Sequence, residues 1–391
     1  MKKYLIIGAV LSLWAVFSVY SCLSQTKEKT ILNNVLTFEL SLGDKNLPSE
    51  YLLAVPYAFV IANNNDVIVF DESKLKIYDA KGKPKQIVGG PGQGPGEFLK
   101  YAEPFYSEDG YLTVINIATP FPSYNLFGPD YKFIEQKNIE TSEVYKKFQN
   151  NFKPDRISFL KIYTFSGKKQ IIMLQRFYQS SATSGTADSL YFDIVFVTEN
   201  DSKIIHSAKR RSNPNDFSVF VPEAGDLEYD FLSNHRIAYT NSKIHKTVDN
   251  DIWYYIIYLH NFDTGKSQEI KHPYTRLALP DSLRNWEINK NLPKALFEMQ
   301  EGMLNVYKKL EHYAPVARLI GDGNYLFVFS FLKKNGHYAA DVFEVNQNKY
   351  ICSAYLPYGI IKNGYFYRKV KNNEGYYVIE KYRIDPKVYG K

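Results

Sequence analysis

The chain is poor in the residues on which disulfide-rich and metal-binding proteins depend. It contains only two cysteines, Cys22 and Cys352, in 391 residues. Cys22 is assigned to a lipid below, which would leave Cys352 without a partner for an intrachain disulfide. A chain of this length can bury enough apolar surface to be stable without one. Cys352 lies in a strand-like run, where we expect a small buried residue and not a nucleophile.

Signature motifs of common enzymes are also missing. The seven histidines form neither HExxH nor a cysteine–histidine cluster with metal-ligand spacing, and GxSxG does not occur. The tripeptide GKS at 265–267 lacks the first glycine of a P-loop, because His260 occupies that position. We therefore predict no catalytic residues, no metal ligands and no cofactor, and expect that the chain is not an enzyme.

Blocks of like charge are absent as well. The 48 basic and 41 acidic residues are scattered along the chain, with a net charge of +7. Binding to nucleic acid would need positive charge clustered on one face. We expect no nucleic-acid partner.

A long apolar run occurs only at the N-terminus. Residues 1–21 combine a basic start, an apolar segment and a small residue before Cys22, which is typical of an export signal. The position of Cys22 resembles the lipobox of bacterial lipoproteins, which implies that Cys22 is diacylated and begins the mature chain. Residues 22–34 would then be a tether. The alternative is an uncleaved signal anchor with an incidental cysteine.

Aromatic and apolar residues are abundant in the rest of the chain. Hydrophobic residues make up 45% of the sequence, with 33 Tyr and 26 Phe but only 3 Trp. Tyr and Phe, like Ile and Val, favour strands, where bulky side chains pack on a pleated surface. The composition predicts an all-β protein with a substantial core.

The strand-like segments recur in one order, separated by turns rich in Gly, Asn and Asp. Six copies can be traced, and they begin at YAFVIA, EPFY, SFLKIYTF, YDFLSN, VARLI and YGIIK. Copies of a four-stranded unit predict a six-bladed β-propeller with antiparallel blades. The sixth copy has only three strands, and a spare strand lies at 35–42. We predict that this N-terminal strand closes the last blade, within one domain at 35–391.

An insertion at 281–314 interrupts the strand pattern. Apolar residues recur there at helical spacing: Leu296, Met299, Met303, Val306 and Leu310. Pro293 suits the first turn of a helix, and Pro315 would end it. We predict one amphipathic helix near 293–312, packed across a face of the propeller.

The segment GGPGQGPGEF at 89–98 connects the first copy to the second. Its glycines permit backbone angles that other residues resist, so we interpret it as a structural crossover between blades that also offers a possible binding site. The residues concerned are Gly92, Gln93, Gly94, Gly96 and Glu97. Glu97 would either point toward the axis and bind a ligand, or accept backbone N–H bonds and hold the crossover.

This crossover carries a family resemblance. Tyr78, Asp79 and Gly82, followed by GQGPGEF at 92–98, resemble the first blade of six-bladed β-propeller lipoproteins of the Bacteroidota, relatives of NHL-repeat and TolB-like propellers. The resemblance implies a propeller fold and a location in the cell envelope, but no settled activity. Leu23 follows Cys22, and not the Asp that retains some lipoproteins at the inner membrane, and LSQTKEK lacks the acidic cluster associated with surface export in this phylum. We therefore expect the periplasmic face of the outer membrane in preference to the cell surface.

Two classes of function remain open. The first is a membrane-anchored, non-enzymatic binding or scaffold module for a protein or glycan partner. The second is an enzyme with a site in the axial channel, of the polysaccharide lyase or metal-dependent lactonase type, which rests on analogy of fold alone. It would require titratable side chains to converge at the axis. An axial calcium ion is conceivable in such a fold, but nothing in the sequence supports it.

Overall fold

The computed structural model describes residues 31–44, 46–116, 122–178, 189–211 and 216–391. The expected signal peptide, Cys22 and most of the expected tether lie outside these ranges.

The described chain forms six sheets, confirming the six-bladed propeller. Two N-terminal strands come first, β1 (Ile31–Leu32) and β2 (Leu36–Leu42). Blade 1 contains β3 (Ala58–Ile61), β4 (Val67–Asp71), β5 (Lys74–Tyr78) and β6 (Pro84–Val88). Blade 2 contains β7 (Ala102–Tyr106), β8 (Leu112–Asn116), β9 (Ser123–Phe127) and β10 (Phe133–Asn138). Blade 3 contains β11 (Arg156–Thr164), β12 (Gln170–Tyr178), β13 (Ser189–Val197) and β14 (Ser202–Arg211).

The remaining blades are longer or are completed by N-terminal strands. Blade 4 contains β15 (Leu227–Leu232), β16 (Arg236–Asn241), β17 (Lys246–Asp249), β18 (Ile252–Asn261) and β19 (Ser267–Tyr274). Blade 5 contains β20 (Arg318–Asp322), β21 (Tyr325–Lys334), β22 (His337–Glu344) and β23 (Lys349–Leu356). Blade 6 contains β24 (Ile360–Lys362), β25 (Tyr365–Lys371) and β26 (Tyr377–Ile384).

The predicted closure of the last blade is confirmed. Strand β2 pairs with β26 in antiparallel register, from Leu36 opposite Ile384 to Leu42 opposite Ile379. Strand β1, which was not predicted, adds in parallel to the outer edge of blade 5 through Ile31 opposite Ser353. The N-terminal segment therefore joins the last two blades and links the start of the described chain to its end.

Three α-helices of the described ranges lie between blades. They are α1 (Glu143–Phe152), α2 (Asp281–Arg284) and α3 (Lys294–Lys309). Helix α3 confirms the predicted insertion helix, and Gly302, Leu304 and Tyr307 form its buried face. The predicted apolar stripe begins later than expected, because Leu296 is 45% exposed.

Helix α1 was not predicted from the sequence. Ser142 caps its N-terminus by accepting a hydrogen bond from the Tyr145 N–H, an arrangement that satisfies a backbone donor left free by the helix. Val144 and Phe148 are buried in a core shared by blades 2 and 3. With only two buried positions, the helical period is too short to stand out in the sequence.

The first strands of the six blades form the inner wall of the ring, where neighbouring first strands contact one another. Each first strand ends in a tight turn, and Asn65, Asn234 and Asn363 occupy positive φ in three of these turns. Asn tolerates this conformation better than most residues. The inner turns therefore lie together at one end of the axis, the turn face, and the crossovers between blades lie at the other end, the crossover face.

Candidate functional site

The axis of the propeller opens into a cavity at the turn face. Its volume is about 290 Å³, and its walls include residues from all six blades. Aromatic side chains form its inner part, and Asn63, Glu108, Lys362 and Asn363 supply polar groups. The rings of Tyr163 and Phe231 lie 4.1 Å apart between centroids. Concave sites with aromatic walls and a few polar groups are typical of ligand pockets.

The polar groups of the turn face are joined from blade to blade. Asn63 donates from Nδ2 to the Glu108 carbonyl at 2.6 Å, and Asn363 donates to the Asn63 carbonyl at 3.0 Å. The Ser233 N–H donates to the Gly323 carbonyl at 2.8 Å. We call this set of contacts between inner turns the turn ring. Since buried or partly buried polar groups are costly when unpaired, the turn ring stabilises the closed propeller.

Asp322 is the most buried acceptor of the turn ring, with 5% of its surface exposed. Its carboxylate accepts hydrogen bonds from the backbone N–H groups of Asn363 at 2.5 Å and Gly364 at 2.9 Å. The hydroxyl of Tyr389 donates to the same carboxylate at 2.7 Å. One side chain of blade 5 thus holds the inner turn of blade 6 and the C-terminal segment.

A histidine in blade 4 forms a second centre of the turn ring. His235 Nδ1 lies 2.6 Å from the Asp263 carboxylate, and Nε2 lies 3.1 Å from Asp109 of blade 2. Burial lowers the pKa of His235, but its hydrogen bonds to Asp263 and Asp109 raise it more, so the pKa lies above its usual value. Lys169 of blade 3 donates to Asp263 at 2.7 Å. The His235 clamp therefore connects blades 2, 3 and 4.

Exposed tyrosines gather on the opposite side, at the crossover face. Tyr57 and Tyr101 directly precede the first strands of blades 1 and 2, and Tyr358 lies two positions before that of blade 6. Their exposed fractions are 48%, 44% and 38%. The rings of Tyr57 and Tyr101 meet edge to face at 5.6 Å. Tyr358 stacks on Tyr338 at 3.8 Å with an interplanar angle of 8°. Equivalent positions in consecutive blades adjoin the axis, so these tyrosines form what we call the crossover mouth.

Four charged side chains line the axis just inside the crossover mouth. They lie on the first strands of blades 2, 3, 4 and 5, and their signs alternate: Glu103, Lys161, Glu228 and Arg318. Each is partly exposed although its strand is surrounded by other blades, so the solvent that each contacts is in the channel. We call them the channel charges.

The channel charges have aromatic neighbours but no direct polar partner in the described part of the chain. Lys161 Nζ lies 5.0 Å from the centroid of the Tyr229 ring, and Arg318 Cζ lies 5.9 Å from that of Tyr358. Within the described ranges, none of the four forms an ion pair or a side-chain hydrogen bond. Partly buried charges are normally paired, so this cluster is available to a ligand.

The channel also perturbs its carboxylates. Burial, reinforced by the nearby Asp226 carboxylate, raises the pKa of Glu228 to about 8, although Arg318 and Lys161 oppose the shift. Burial raises the pKa of Glu103. It also raises the pKa of Asp230, which lies deeper in the channel. Asp230 accepts hydrogen bonds from the N–H groups of Gly321 and Phe231, both at 2.8 Å. Perturbed carboxylates in a cleft are a frequent feature of functional sites.

Insertions between blades border the crossover mouth on one side. Tyr307 of α3 donates to the Glu223 carboxylate at 2.8 Å, and Tyr313 stacks on Phe331 of blade 5 at 4.9 Å. The hairpin of β21 and β22 carries Lys333, whose Nζ lies 4.5 Å from the Tyr338 ring. The mouth therefore has a raised, aromatic and basic wall beside blade 5.

The glycine-rich crossover lies on the same face, and Glu97 turns back into its own loop. Its carboxylate accepts a hydrogen bond from the Gly94 N–H at 2.8 Å, and a Cβ on Gly92 would overlap it. Gly96 donates to the Asn125 side chain at 3.3 Å. Gln93 contributes its carbonyl, which accepts from Gln136 at 3.4 Å. The structure thus places Gly92, Gln93, Gly94, Gly96 and Glu97 in one loop, away from the channel charges.

Other expected features can be placed in the same way. In the described ranges, no group of three or more His, Cys, Asp and Glu side chains is arranged to hold a metal ion. None of the helices among those residues is long and apolar enough to cross a bilayer. Cys352 lies in β23 and is partly exposed, where a fully buried residue was expected.

The channel charges and the crossover mouth were not identified from the sequence. Glu103, Lys161, Glu228 and Arg318 are separated by 58, 67 and 90 residues and share no motif. The available signal was positional. Each of the four charges lies in the first strand of its copy, and in three copies a Tyr lies just before the first strand. A comparison of the copies, strand by strand, could have found both.

Comparison with solved structures finds neighbours of low similarity. The chain is similar in structure to a Bacteroides fragilis protein assigned to the exported class, with 13% identity, 91% of this chain and 99% of that chain covered, and a TM-score of 0.42. A protein of unknown function from Bacteroides caccae is 11% identical, with coverage of 77% and 81% and a TM-score of 0.34. The β-propeller domain of the trilobed protease from Pyrococcus furiosus is 8% identical, with coverage of 86% and 80% and a TM-score of 0.35.

These likenesses concern the fold alone. No protein-family model matches the chain, and no curated protein matches it in a sequence comparison. The class that the fold defines is the six-bladed β-propeller.

Proposed function

We propose that this chain is a glycan-binding propeller of the cell envelope, anchored through a lipid on Cys22 and without catalytic activity of its own. The observation that carries the proposal is the crossover mouth, where exposed tyrosines of three consecutive blades adjoin channel charges that form no ion pair and no side-chain hydrogen bond among the described residues. The TolB-like and NHL-like resemblance of the crossover at 92–98 supports an envelope role, at the periplasmic face of the outer membrane.

The chemistry of the mouth favours a sugar over a protein surface. Tyr combines an apolar ring face with a hydroxyl, and a sugar ring combines an apolar C–H face with hydroxyls at its edge. Carboxylates accept and ammonium or guanidinium groups donate hydrogen bonds, so the alternating channel charges suit the hydroxyl groups of a sugar. The site is confined to the region of the axis, whereas protein interfaces of ordinary size need about 800 Å² on each partner.

The direction of β1 is compatible with a site that faces away from the membrane. Strand β23 runs from the turn face to the crossover face, and β1 runs parallel to it. Strand β1 therefore begins toward the turn face and ends toward the crossover face.

Glycan binding is tested with the full-length chain purified in detergent. We expect selective binding to a subset of glycans on an array, confirmed by isothermal titration calorimetry. The double variant Tyr57→Ala/Tyr358→Ala should lose this binding, whereas Tyr376→Ala should retain it, because Tyr376 is similarly exposed (40%) but precedes an outer strand. Absence of binding to every glycan tested, by a folded protein, would refute the proposed function.

Anchoring is tested separately. Mass spectrometry of the mature chain should find diacylglycerol and an N-terminus at Cys22, and Cys22→Ala should release the protein from the membrane fraction. An unmodified Cys22 in membrane-bound protein would instead support a signal anchor.

The second candidate is an enzyme with an axial site. It is favoured by one observation, the convergence of Glu103, Glu228 and Asp230 near Lys161, with pKa values that burial raises. Prolonged incubation of the full-length chain with each bound glycan distinguishes the two functions. New reducing ends that disappear in Glu228→Gln would favour the enzyme, and an intact glycan would favour the binding module.

A further inference from the structure

We propose that the crossover mouth recognises an acidic sugar, such as a uronic acid, whose carboxylate lies between Lys161 of blade 3 and Arg318 of blade 5. This inference deepens the proposed glycan-binding function and rests on it. It names the chemical class of the ligand, which neither the fold nor the comparisons supply.

The first reason is that two partly buried cations form no direct ion pair within the described chain, although carboxyl groups lie near enough to act on them electrostatically. Lys161 and Arg318 lie on first strands and contact aromatic rings. Two other cations that are partly or fully buried have close anionic partners: Arg176 binds Asp193 at 2.5 Å, and Arg368 binds Glu380 at 2.8 Å. A cation taken out of bulk water without a counter-charge is costly. An anionic ligand group would lower that cost at both positions together.

The second reason is the character of the side chain between them. Glu228, on the first strand of blade 4, interacts electrostatically with both Lys161 and Arg318 but forms an ion pair with neither. Asp230 is held deeper by two backbone N–H groups. A ligand carboxylate in front of Glu228 would face the two cations without competing with a bound carboxylate of the protein.

The groups around Glu228 set the pKa of its carboxyl. The titratable and charged groups that face it, from its own strand and from the neighbouring elements, are Lys161, Arg210, Asp226, Tyr229, Arg318 and Tyr358. Arg210 is paired with Asp226 and adds little net charge. Burial raises the pKa of Glu228 to about 8, so at neutral pH its carboxyl is mostly protonated and can donate a hydrogen bond to an anion.

The remaining groups of the mouth suit the sugar ring itself. Tyr358 is stacked on Tyr338 and fixed in orientation, so the exposed part of its ring can contact an apolar sugar face at little cost in conformational entropy. Glu103 of blade 2 lies on the far side of Lys161 and interacts electrostatically with it, so its carboxylate can accept a hydrogen bond from a ring hydroxyl.

The experiment compares an acidic probe with its neutral methyl ester. Trigalacturonate and its fully methyl-esterified form are titrated into the full-length chain in detergent, at pH 7 and low salt. We expect the acid to bind roughly ten to one hundred times more tightly than the ester, the range for losing hydrogen bonds to charged groups. Affinity for the acid should fall as salt is added, because exposed charge pairs are screened.

Matched variants locate the anion site. Lys161→Gln and Arg318→Gln should each lose most of the preference for the acid. Lys168→Gln is the control: it removes one positive charge from the turn face, where Lys168 forms an exposed pair with Glu199. Circular dichroism and thermal unfolding identify any variant that fails to fold. For such a variant, Lys161→Arg or Arg318→Lys keeps the charge and should keep the preference.

The pH dependence gives a readout that a structural role would not change. Affinity of the wild-type protein for trigalacturonate should fall as pH rises through about 8, because ionised Glu228 repels the ligand. Glu228→Gln cannot ionise, so it should bind the acid more tightly than the wild-type protein does at pH 9.

The outcomes separate this inference from the proposed function. Equal binding of the acid and the ester, or binding to neutral glycans only, would overturn the acidic-sugar inference and leave the glycan-binding function in place. Binding of an acidic peptide such as hexaglutamate, with no binding of any glycan, would overturn both. Preference for the acid that persists in Lys161→Gln and Arg318→Gln would place the ligand elsewhere and also refute the inference.

Discussion

The two faces of the propeller use polar residues in opposite ways. At the turn face, Asp322, His235 and their neighbours are joined by hydrogen bonds that run from blade to blade. At the crossover face, Tyr57 and Tyr358 are exposed, and the nearby channel charges have no direct polar partner among the described residues. The polar groups of the turn face bond to one another, whereas those of the crossover face are exposed to solvent.

This difference indicates that residues that stabilise the propeller and residues that bind a ligand lie on opposite faces of the ring. A paired polar group stabilises the fold, whereas a charge held without a partner destabilises it and is retained when it serves another purpose. Substitutions at the turn face should therefore change the free energy of unfolding, and substitutions at the crossover mouth should change binding.

Removal of the central acceptor of the turn ring should have the largest effect. Asp322→Ala leaves the Asn363 N–H, the Gly364 N–H and the Tyr389 hydroxyl without an acceptor. We expect the free energy of unfolding to fall by about 3 kcal/mol or more, measured by urea denaturation. Asp130→Ala, at an exposed hairpin turn, is the control and should have no measurable effect. Equal urea midpoints for the two variants would show that the turn ring does not hold the propeller closed.

A glycine pair tests whether the crossover loop between blades 1 and 2 is a rigid structural element. Gly89 has a φ of 73°, and a Cβ there would overlap the buried ring of Phe98. Gly89→Ala should lower the free energy of unfolding by about 2 kcal/mol. The adjacent Gly90→Ala should change it by less than about 0.5 kcal/mol, because a Cβ at Gly90 meets no other atom within 4 Å. Equal losses of unfolding free energy in the two variants, measured by thermal or urea denaturation, would contradict this role of the loop.

The His235 clamp should give the turn face a pH-dependent stability. The folded-state pKa of His235 is raised, so its contribution is complete below its ordinary value of about 6.5 and is lost as pH rises through the raised pKa. The pKa values of Asp109 and Asp263 are lowered, so their contribution is lost as pH falls below about 3.9. His235→Asn should therefore cost about 1 kcal/mol near pH 5 to 6 and less at pH 9. A cost that does not vary with pH would indicate a role in packing only.

Substitution at the crossover mouth should have the smallest effect on stability and a clear effect on binding. Tyr358→Ala removes a half-exposed ring and one stacking contact, so we expect a loss of unfolding free energy of about 1 kcal/mol or less. Its affinity for the bound glycan should fall roughly tenfold, since one ring contact of this size is lost. Calorimetry of Tyr358→Ala beside Tyr376→Ala checks this. A large loss of stability without a loss of binding would reverse the assignment of the two faces.

Much of the fold was predictable because its signals are local. Short alternating strands, turns such as NNND and the three-stranded sixth copy indicated six blades closed by residues 35–42, and pairing of β2 with β26 confirms it. Helix α3 was predicted from its apolar period, whereas α1 was not, since it buries only Val144 and Phe148. Strand β1 was not predicted either, because two residues carry no periodic pattern.

The candidate site was not predictable by the same means. The sequence analysis singled out the glycine-rich crossover, and within it the structure directs Glu97 toward the Gly94 N–H instead of the axis. A carboxylate next to glycines gives no indication of its direction, which depends on the closed loop. Glu103 and Arg318 are equally inconspicuous in the sequence, because a single charge in a strand is usually a solvated residue on an outer face.

By itself, the sequence determined the repeated unit, the number of copies and the strand that closes the ring, because hydrogen bonding and side-chain alternation act between residues that are close along the chain. The tertiary structure alone decided which side chains meet at the axis and which of them lack a partner. Ring closure brings residues more than 200 positions apart, such as Glu103 and Arg318, to one channel. The burial of these residues and the electrostatic potential at their charges then depend on all the surrounding blades. No local sequence pattern encodes either quantity.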